Sequence, residues 1–468
     1  MKKEAWRIYG RSLCILAAVL LTACAAPSEA ESSRNAAEGS LATEEEVWPA
    51  SGTSQGEVLP SGEDGSSSGS GSEEGVLPPS GEGSGEDGVP EDLGGAAKDR
   101  KTEITLVMVG DILLHTPVAK SGLLAEGGYD FSAVFEEMKE EISAADLALV
   151  NQEVIIGGEE LGITGYPAFN APYELGDALA EAGFDVVLHA TNHALDKGRK
   201  GILNCLSFWR ENYPDIAVLG VHDSGESQQE IYVYEQNEIK IAILNYTYGT
   251  NGIPLPEGMA YAVDLLEKER VAADLKAAQE LADFVIVCPH WGTEYVLEST
   301  KAQRDWAAFF AENGADLILG THPHVIEEIA WVPGDDGEAA GDGNVQGAGG
   351  ALVYYSLGNF VNWTAGTGAG VANRMVGGMA KVTVGLNETG EAVIVSYGVE
   401  PLVCHVEQGF GGVKVYPLSR YTEDLAARNE IVGQDGSFSL EYCQELVEQV
   451  FGKLADDCVI QSISSIQD

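Results

Sequence analysis

Residues 284–324 read FVIVCPHWGTEYVLESTKAQRDWAAFFAENGADLILGTHPH, and they hold one complete structural unit. Phe284 to Cys288 is an unbroken, largely β-branched apolar run, the pattern of a strand buried on both faces. Gln303 to Glu312 has helical periodicity, and Leu317 to Leu319 is a second short apolar run. Strand, helix and strand in that order predict a βαβ unit with parallel strands. His290 follows the first strand, and His322 and His324 bracket a single proline after the second, beside Gly320. In open α/β sheets the carboxyl ends of strands converge on the ligand crevice, so the unit aims its three imidazoles at one place.

The same alternation continues upstream. Strands are predicted at Ile104 to Val109 (stopped by Gly110), Leu147 to Val150, Val186 to Leu188, Ile216 to Leu219 and Ile239 to Asn245. Helices are predicted at Phe131 to Ala145, with Val134, Phe135, Met138 and Ile142 on one face, and at Glu174 to Ala182, Lys200 to Asn212 and Asp264 to Leu281. Together they predict a largely parallel buried sheet. After Pro333 the pattern changes: a Gly/Asp-rich loop, Gly334 to Gly350, precedes strands at Ala351 to Tyr355, Met379 to Val384 and Val393 to Tyr397. Strands without intervening helices predict a second, mixed or antiparallel sheet. Residues after about 410 are expected at the periphery, with a helix from Leu440 to Leu454.

Polar residues stand where these strands run out: Asp111; Asn151 and Glu153; Asn192 and His193; His290; His322 and His324. Taken singly, an Asp after a strand is ordinarily a turn or cap residue and an isolated His a packed core residue. His115, His189, His222 and His405 are read in that way. The combination differs, because successive strand ends deliver carboxylate, amide and imidazole together. Mixed oxygen and nitrogen donors without a thiolate suit Mn, Fe, Zn or Mg better than a structural thiolate zinc site.

In order along the chain stand Gly110-Asp111, Asn151-Gln152-Glu153, Asn192-His193-Ala194-Leu195-Asp196-Lys197-Gly198, His290-Trp291-Gly292-Thr293-Glu294, Gly320-Thr321-His322-Pro323-His324-Val325 and Ser356-Leu357-Gly358-Asn359-Phe360. This series resembles the CapA family, the poly-γ-glutamate capsule synthesis proteins related to calcineurin-like metallophosphatases, over roughly residues 103–362. The resemblance implies a four-layer α/β/β/α sandwich of the metallo-dependent phosphatase kind. It implies one or two divalent cations surrounded by Asp111, Glu153, Asn192, His290, His322 and His324. It puts His193 and Asp196 in catalysis and Asn151, Glu294 and Asn359 behind the ligands. Trp291 and Tyr295 are candidate walls of the cleft, with core packing as the other reading of Trp291. The sequence departs from the metallophosphatase pattern where Asp111 is followed by Ile112 and Leu113 instead of an Asp-x-His string, so one histidine of the usual set is absent.

Three functions are compatible with that reading: a metal-dependent hydrolase in capsule (poly-γ-glutamate) or envelope-polymer biosynthesis, a non-catalytic accessory for polymer binding or export, and a metal-dependent peptide epimerase. The net charge of −48 excludes the basic footprint that nucleic acid requires. The same negative field slows the approach of a polyanion, and no Lys/Arg cluster offsets it.

The N-terminal region reads as address and tether. Lys2, Lys3, Arg7 and Arg11 precede an apolar run from Leu13 to Leu21, too short to span a bilayer, where about 20 residues are needed. Leu21-Thr22-Ala23-Cys24 resembles a bacterial lipobox, so residues 1–24 are expected to be a lipoprotein signal. A lipidated Cys24 then holds the protein on the extracytoplasmic face of the cell membrane, near proteins of polymer synthesis or export. Residues 25–102 are expected to be a disordered Gly/Ser/Glu/Pro linker; residues 25–100 carry 17 acidic and 3 basic side chains, a net of −14, and little apolar surface to offset chain entropy. Residues 103–405 are expected to form the catalytic-type domain and 406–468 a helical extension. The cysteines show no disulfide framework and no paired zinc spacing; a bridge between Cys443 and Cys458 is open at this stage.

Overall fold

The computed structural model describes residues 103–334 and 350–452. The signal segment with Cys24, the linker, most of the Gly334 to Gly350 loop, and Cys458 lie outside the described residues. Among those described, no helix is long and apolar enough to cross a membrane.

Among the described residues, fourteen strands form two sheets. The first runs β14 (Val413–Pro417), β13 (Ala392–Val406), β12 (Val376–Leu386), β1 (Glu103–Ile112), β2 (Leu147–Asn151), β3 (Val186–Leu188), β4 (Ala217–Leu219), with β11 (Asn359–Val361) also paired to β1. The second runs β5 (Tyr232–Gln236), β6 (Ile239–Thr247), β7 (Phe284–His290), β8 (Leu317–Leu319), β10 (Ala351–Tyr354), β9 (Ile329–Val332). Strands β1 to β4 are mutually parallel, as are β6, β7, β8 and β10.

Side-chain alternation shows how the sheets stack. Phe284, Ile286 and Cys288 of β7 join one core cluster with Met108, Leu147 and Leu149 of the first sheet. Val285 and Val287, pointing the other way, join a second cluster with Val271, Leu275 and Ala278 of the helix Lys268–Leu281 and with Ala307 and Phe310 of the helix Lys301–Glu312. The Cys288 and Met108 sulfurs meet at 4.0 Å, and the Tyr354 hydroxyl donates to the Gly398 carbonyl at 2.8 Å, both across the gap between sheets. The helices Tyr173–Ala182 and Gly198–Asn212 contribute Leu175, Leu179, Cys205 and Trp209 to the core of the first sheet, and Tyr173 stacks on Phe208 between them. Helices thus flank two facing sheets, the mixed α/β fold that the sequence series implied.

Three details differ from the sequence reading. The strands after residue 350 do not make a sheet of their own: β10 completes the second sheet, while β12, β13 and β14 extend the first in antiparallel fashion. Local patterning reports that a strand exists and is silent on its neighbours. The segment after residue 410, expected at the periphery, packs in the core through β14, Ile431, Cys443, Leu446, Val447 and Phe451. Cys443 is a free, buried thiol. Finally, Gly110 does not stop β1, which runs on to Ile112. A Cβ on Gly110 would lie 1.9 Å from the Gly358 carbonyl oxygen, so the glycine is there to let two backbones touch.

Candidate metal centre

That backbone contact sets the site. The Asp111 amide donates to the Gly358 carbonyl at 3.0 Å, and Asp111 lies in register with Asn359 of β11 on one side and Asn151 of β2 on the other. Three polar side chains therefore stand in a row at the carboxyl end of the first sheet, with Glu153 two residues beyond. The second sheet ends opposite: His290 closes β7, and a bridge from His290 to Thr321 brings in the turn that carries His322 and His324. Both histidines have left-handed backbones, φ 101° and 59°, a conformation that costs a non-glycine residue about 1–3 kcal/mol. The surrounding contacts hold that strain so that two imidazoles two residues apart face the same way.

The result is one buried cluster. Glu153, His290 and His322 offer donor atoms all within 4.8 Å of one another; so do Asp111, Glu153 and His324; so do Glu294, His322 and His324. His324 Nδ1 lies 3.2 Å from Asp111 Oδ2 and 3.7 Å from Glu153 Oε2, and His290 Nε2 lies 3.8 Å from Glu153 Oε1. Asn151 donates to Asp111 Oδ1 at 2.8 Å, and His324 Nδ1 lies 3.1 Å from the Asn359 side-chain oxygen. The Asn192 side-chain oxygen sits 3.0 Å from His290 Nε2, so it too points inward.

The donor set fits a cation on physical grounds. Both Glu153 carboxylate oxygens and His322 Nδ1 are buried without a hydrogen-bond partner among the described residues, and a buried carboxylate left so is costly. Burial pushes the Glu153 carboxyl well above its usual range, His324 pulls it back, and Asp111, Glu294 and Asp196 push it further up. Burial and the neighbouring imidazoles hold His290 and His322 well below the usual histidine range, in the neutral form that ligates metals. Burial works against charging His324, but the Glu153 and Asp111 carboxylates outweigh it and raise the imidazole to about 10. The carboxylates that favour a charged His324 would equally favour a divalent cation.

His193 stands at the edge. Its Nδ1 lies 2.7 Å from Asp196 Oδ2, its Nε2 lies 3.9 Å from Glu153 Oε1, and its ring meets Phe169 edge-on at 4.7 Å. Asp196 also accepts from the Phe169 amide at 2.7 Å, which fixes the carboxylate that in turn fixes the ring. His193 is anchored by Nδ1 and presents Nε2 toward the cluster.

All nine residues read from the strand ends and motifs as candidate ligands or their supports gather here, together with the His193–Asp196 pair. Glu294 differs in standing: expected behind the ligands, it is grouped with His322 and His324 as a possible donor. Trp291 is fully buried in the second core cluster, its indole N–H donating to the Tyr355 carbonyl at 2.9 Å, so it is core and not cleft wall. Tyr295 is 45% exposed and its ring lies 5.9 Å from that of His324. Tyr248, whose ring lies 4.6 Å from His322, was not singled out from the sequence, because it lies beyond the end of β6 with no motif around it. Of the other histidines, His189 pairs with the Cys205 sulfur, His222 with Asp264 and His405 with Tyr421. His115 alone among them borders the site: burial lowers it to about 3, aided by His324, His193 and Arg374.

Comparison with known proteins adds a family. Residues 105–364 match the family described as bacterial capsule synthesis protein PGA_cap. The chain is 29% identical over 283 residues to the capsule biosynthesis protein CapA of Bacillus anthracis, covering 57% of this chain and 62% of that one. It is 30% identical over 189 residues to the PGA biosynthesis protein CapA of Bacillus subtilis (strain 168), covering 40% of this chain and 45% of the other. The chain thus spans between about half and two thirds of the length of these curated relatives. Among solved structures, the Haemophilus influenzae NAD nucleotidase (NadN) aligns with a TM-score of 0.40 at 13% identity, over 74% of this chain and 63% of that one.

Proposed function

Because this chain belongs to the bacterial capsule synthesis protein PGA_cap family, we propose that its folded domain is a metal-dependent hydrolase acting on an ester or amide bond of a capsule or envelope polymer. The observation that carries the reading is Glu153: a fully buried carboxylate whose two oxygens accept no hydrogen bond among the described residues, inside donor groups from both sheets. Asp111, Glu153, His290, His322 and His324 would hold one or two divalent cations (Mn, Fe, Zn or Mg), with Asn192 and Glu294 within reach. Bound there, such cations supply Lewis-acid polarisation of a carbonyl or phosphoryl oxygen.

The chain's own groups account for the rest. Asp196 anchors His193 Nδ1, so the proton that His193 gives or takes is at Nε2, on the side of the cluster. Asn151 and Asn359 fix the rotamers of Asp111 and His324, as partners behind ligands do. Phe169 packs edge-on against the His193 ring and Tyr248 packs against the His322 ring, which limits how those imidazoles can turn.

Under the same proposal the chain is held on the extracytoplasmic face of the membrane by lipid on Cys24, close to its polymer-assembly partners. Cys24→Ser is expected to abolish lipid labelling and release the protein; unchanged labelling rules the anchor out. The catalytic reading is tested on purified, metal-replete protein by elemental analysis and by turnover of a generic phosphodiester or of an isolated capsule fraction. One to two equivalents of metal with turnover supports it. Metal-free protein refutes the site. Metal without turnover, with ligand variants that still sustain capsule formation, makes the domain a polymer-binding scaffold.

A further inference from the structure

Beside the donor cluster lies a cation that the family match does not reach. The match ends at residue 364, and Arg374 sits ten positions on, in the turn Val371–Met375. Its guanidinium carbon lies 3.4 Å from the centre of the Tyr295 ring, closer than a typical cation–π contact requires. Tyr295 in turn flanks His324 and follows Glu294. From the other side, Asn359 uses its amide to donate to the Arg374 carbonyl at 2.9 Å while its oxygen holds His324 at 3.1 Å. Two independent routes therefore place Arg374 one residue away from the donor cluster.

What the guanidinium binds is incomplete. Nη1 donates to the Thr364 hydroxyl at 2.7 Å, and Nε is buried with no partner among the described residues. No carboxylate among the described residues pairs with Arg374, although the chain carries 74 Asp and Glu against 26 Lys and Arg. An arginine seated over an aromatic ring with one N–H unpartnered among the described residues has the makings of a carboxylate or phosphate receptor. Its turn is also braced: Asp435 accepts from the Gly370 amide at 2.8 Å and the Ala372 amide at 3.4 Å, which gives the C-terminal segment a reason to pack where it does.

We propose that Arg374, stacked on Tyr295, is a specificity-determining residue that binds an oxyanion of the substrate beside the metal centre. Resting on the hydrolase reading, this names the substrate class: a molecule with a carboxylate or phosphate group next to the bond that is cut. In an otherwise negative protein, Arg374 supplies the local attraction that the overall field withholds.

The test is direct binding, with inorganic phosphate and glutarate as probes, by calorimetry on the full folded chain, both metal-loaded and chelator-treated. Wild type, Arg374→Gln and Arg374→Lys are compared, with metal content and melting temperature measured for each. The fold should tolerate both changes, since Asn359 and Asn362 bond the backbone carbonyl of Arg374 and not its side chain. Arg374→Gln is expected to weaken at least one probe about tenfold or more at unchanged metal content, with Arg374→Lys between it and wild type. Dependence for glutarate alone makes the partner a carboxylate, and for phosphate alone a phosphoryl group. Equal affinity of both probes for wild type and both folded variants overturns the proposal. The two readings fail separately: a metal-free protein with Arg374-dependent binding sinks the hydrolase and keeps the subsite, and a metal-loaded, active protein with Arg374-independent binding does the reverse. If neither variant folds, Tyr295→Ala, which removes the stacking platform, is expected to give the same weakening, and full affinity in that variant overturns the proposal.

Discussion

The two sheets bring different chemistry to one seam. The first ends in oxygen donors and amides: Asp111, Asn151, Glu153 and Asn192. The second ends in imidazoles: His290, His322 and His324. On the first side backbone register does the positioning, since pairing of β1 with β2 and β11 lines up Asn151, Asp111 and Asn359. On the second side a strained turn does it, with left-handed backbones at His322 and His324. One half is thus set by hydrogen-bonded ladders shared with the core, and the other by a local conformation held in place by its neighbours. Neither half is a site without the other.

The comparison can be broken most severely on the imidazole side. His322→Ala with His324→Ala is expected to remove nearly all bound metal by elemental analysis while the far-ultraviolet circular dichroism stays native, since the strand core lies elsewhere. Retained metal would show that the oxygen side suffices alone. His193→Ala, outside both donor groups, is expected to keep its metal and lose about 10²–10⁴ in turnover, the usual cost of a positioned acid or base. Asp196→Asn should move in the same direction by less. Glu294→Gln sharpens the assignment of that residue: a true donor lowers metal occupancy measurably, whereas a support leaves the stoichiometry intact and lowers affinity by about 10–100-fold at most.

The smallest expected effect concerns Glu327, three residues past the strained turn. Burial raises its carboxyl to about 8 against an ordinary 4.5; a hydrogen bond from Gln303 opposes the rise and Glu328 adds to it. The folded state then holds a proton that the unfolded state has released, so this contribution to stability is complete below about 4.5 and is lost as pH rises through about 8. Glu327→Gln removes the dependence. Its melting temperature should gain on wild type from pH 5 to about pH 8 and level off above that, and a constant difference throughout would show that the carboxyl is not perturbed.

The halves were also unequally legible in the sequence. The Phe284 to His290 strand and the His322-Pro323-His324 string announce themselves, since a buried strand needs an unbroken apolar run and the residues after it are free to be polar. The same logic located Asp111, Glu153 and Asn192. Partition between sheets was not legible: Ala351 to Tyr355 and Met379 to Val384 look alike locally, yet one joins the second sheet and the other the first. Pairing is decided by partners far away in the chain. Tyr248 and Arg374 were missed for a related reason, because each reaches the cluster from a loop or turn with no periodicity to read. Gly110 was misread as a terminator because a glycine that admits another backbone and one that ends a strand look the same in a sequence.

The Gly110–Gly358 contact also bears on the order in which the molecule is made. β1 is near the start of the described chain, but the strands on its one flank, β11 and β12, come from near the other end, and the Asp111 carboxylate accepts the amide of His322 across 211 positions at 3.2 Å. Such distant pairings pay their loop-closure entropy late, so they form slowly and close to the end of folding. Oxygen and nitrogen donors therefore meet only in a nearly finished chain. Metal capture becomes a report on completion: in a refolding experiment, uptake should trail the recovery of helical signal, and a chain arrested before β11 docks should fold most of its helices and hold no ion.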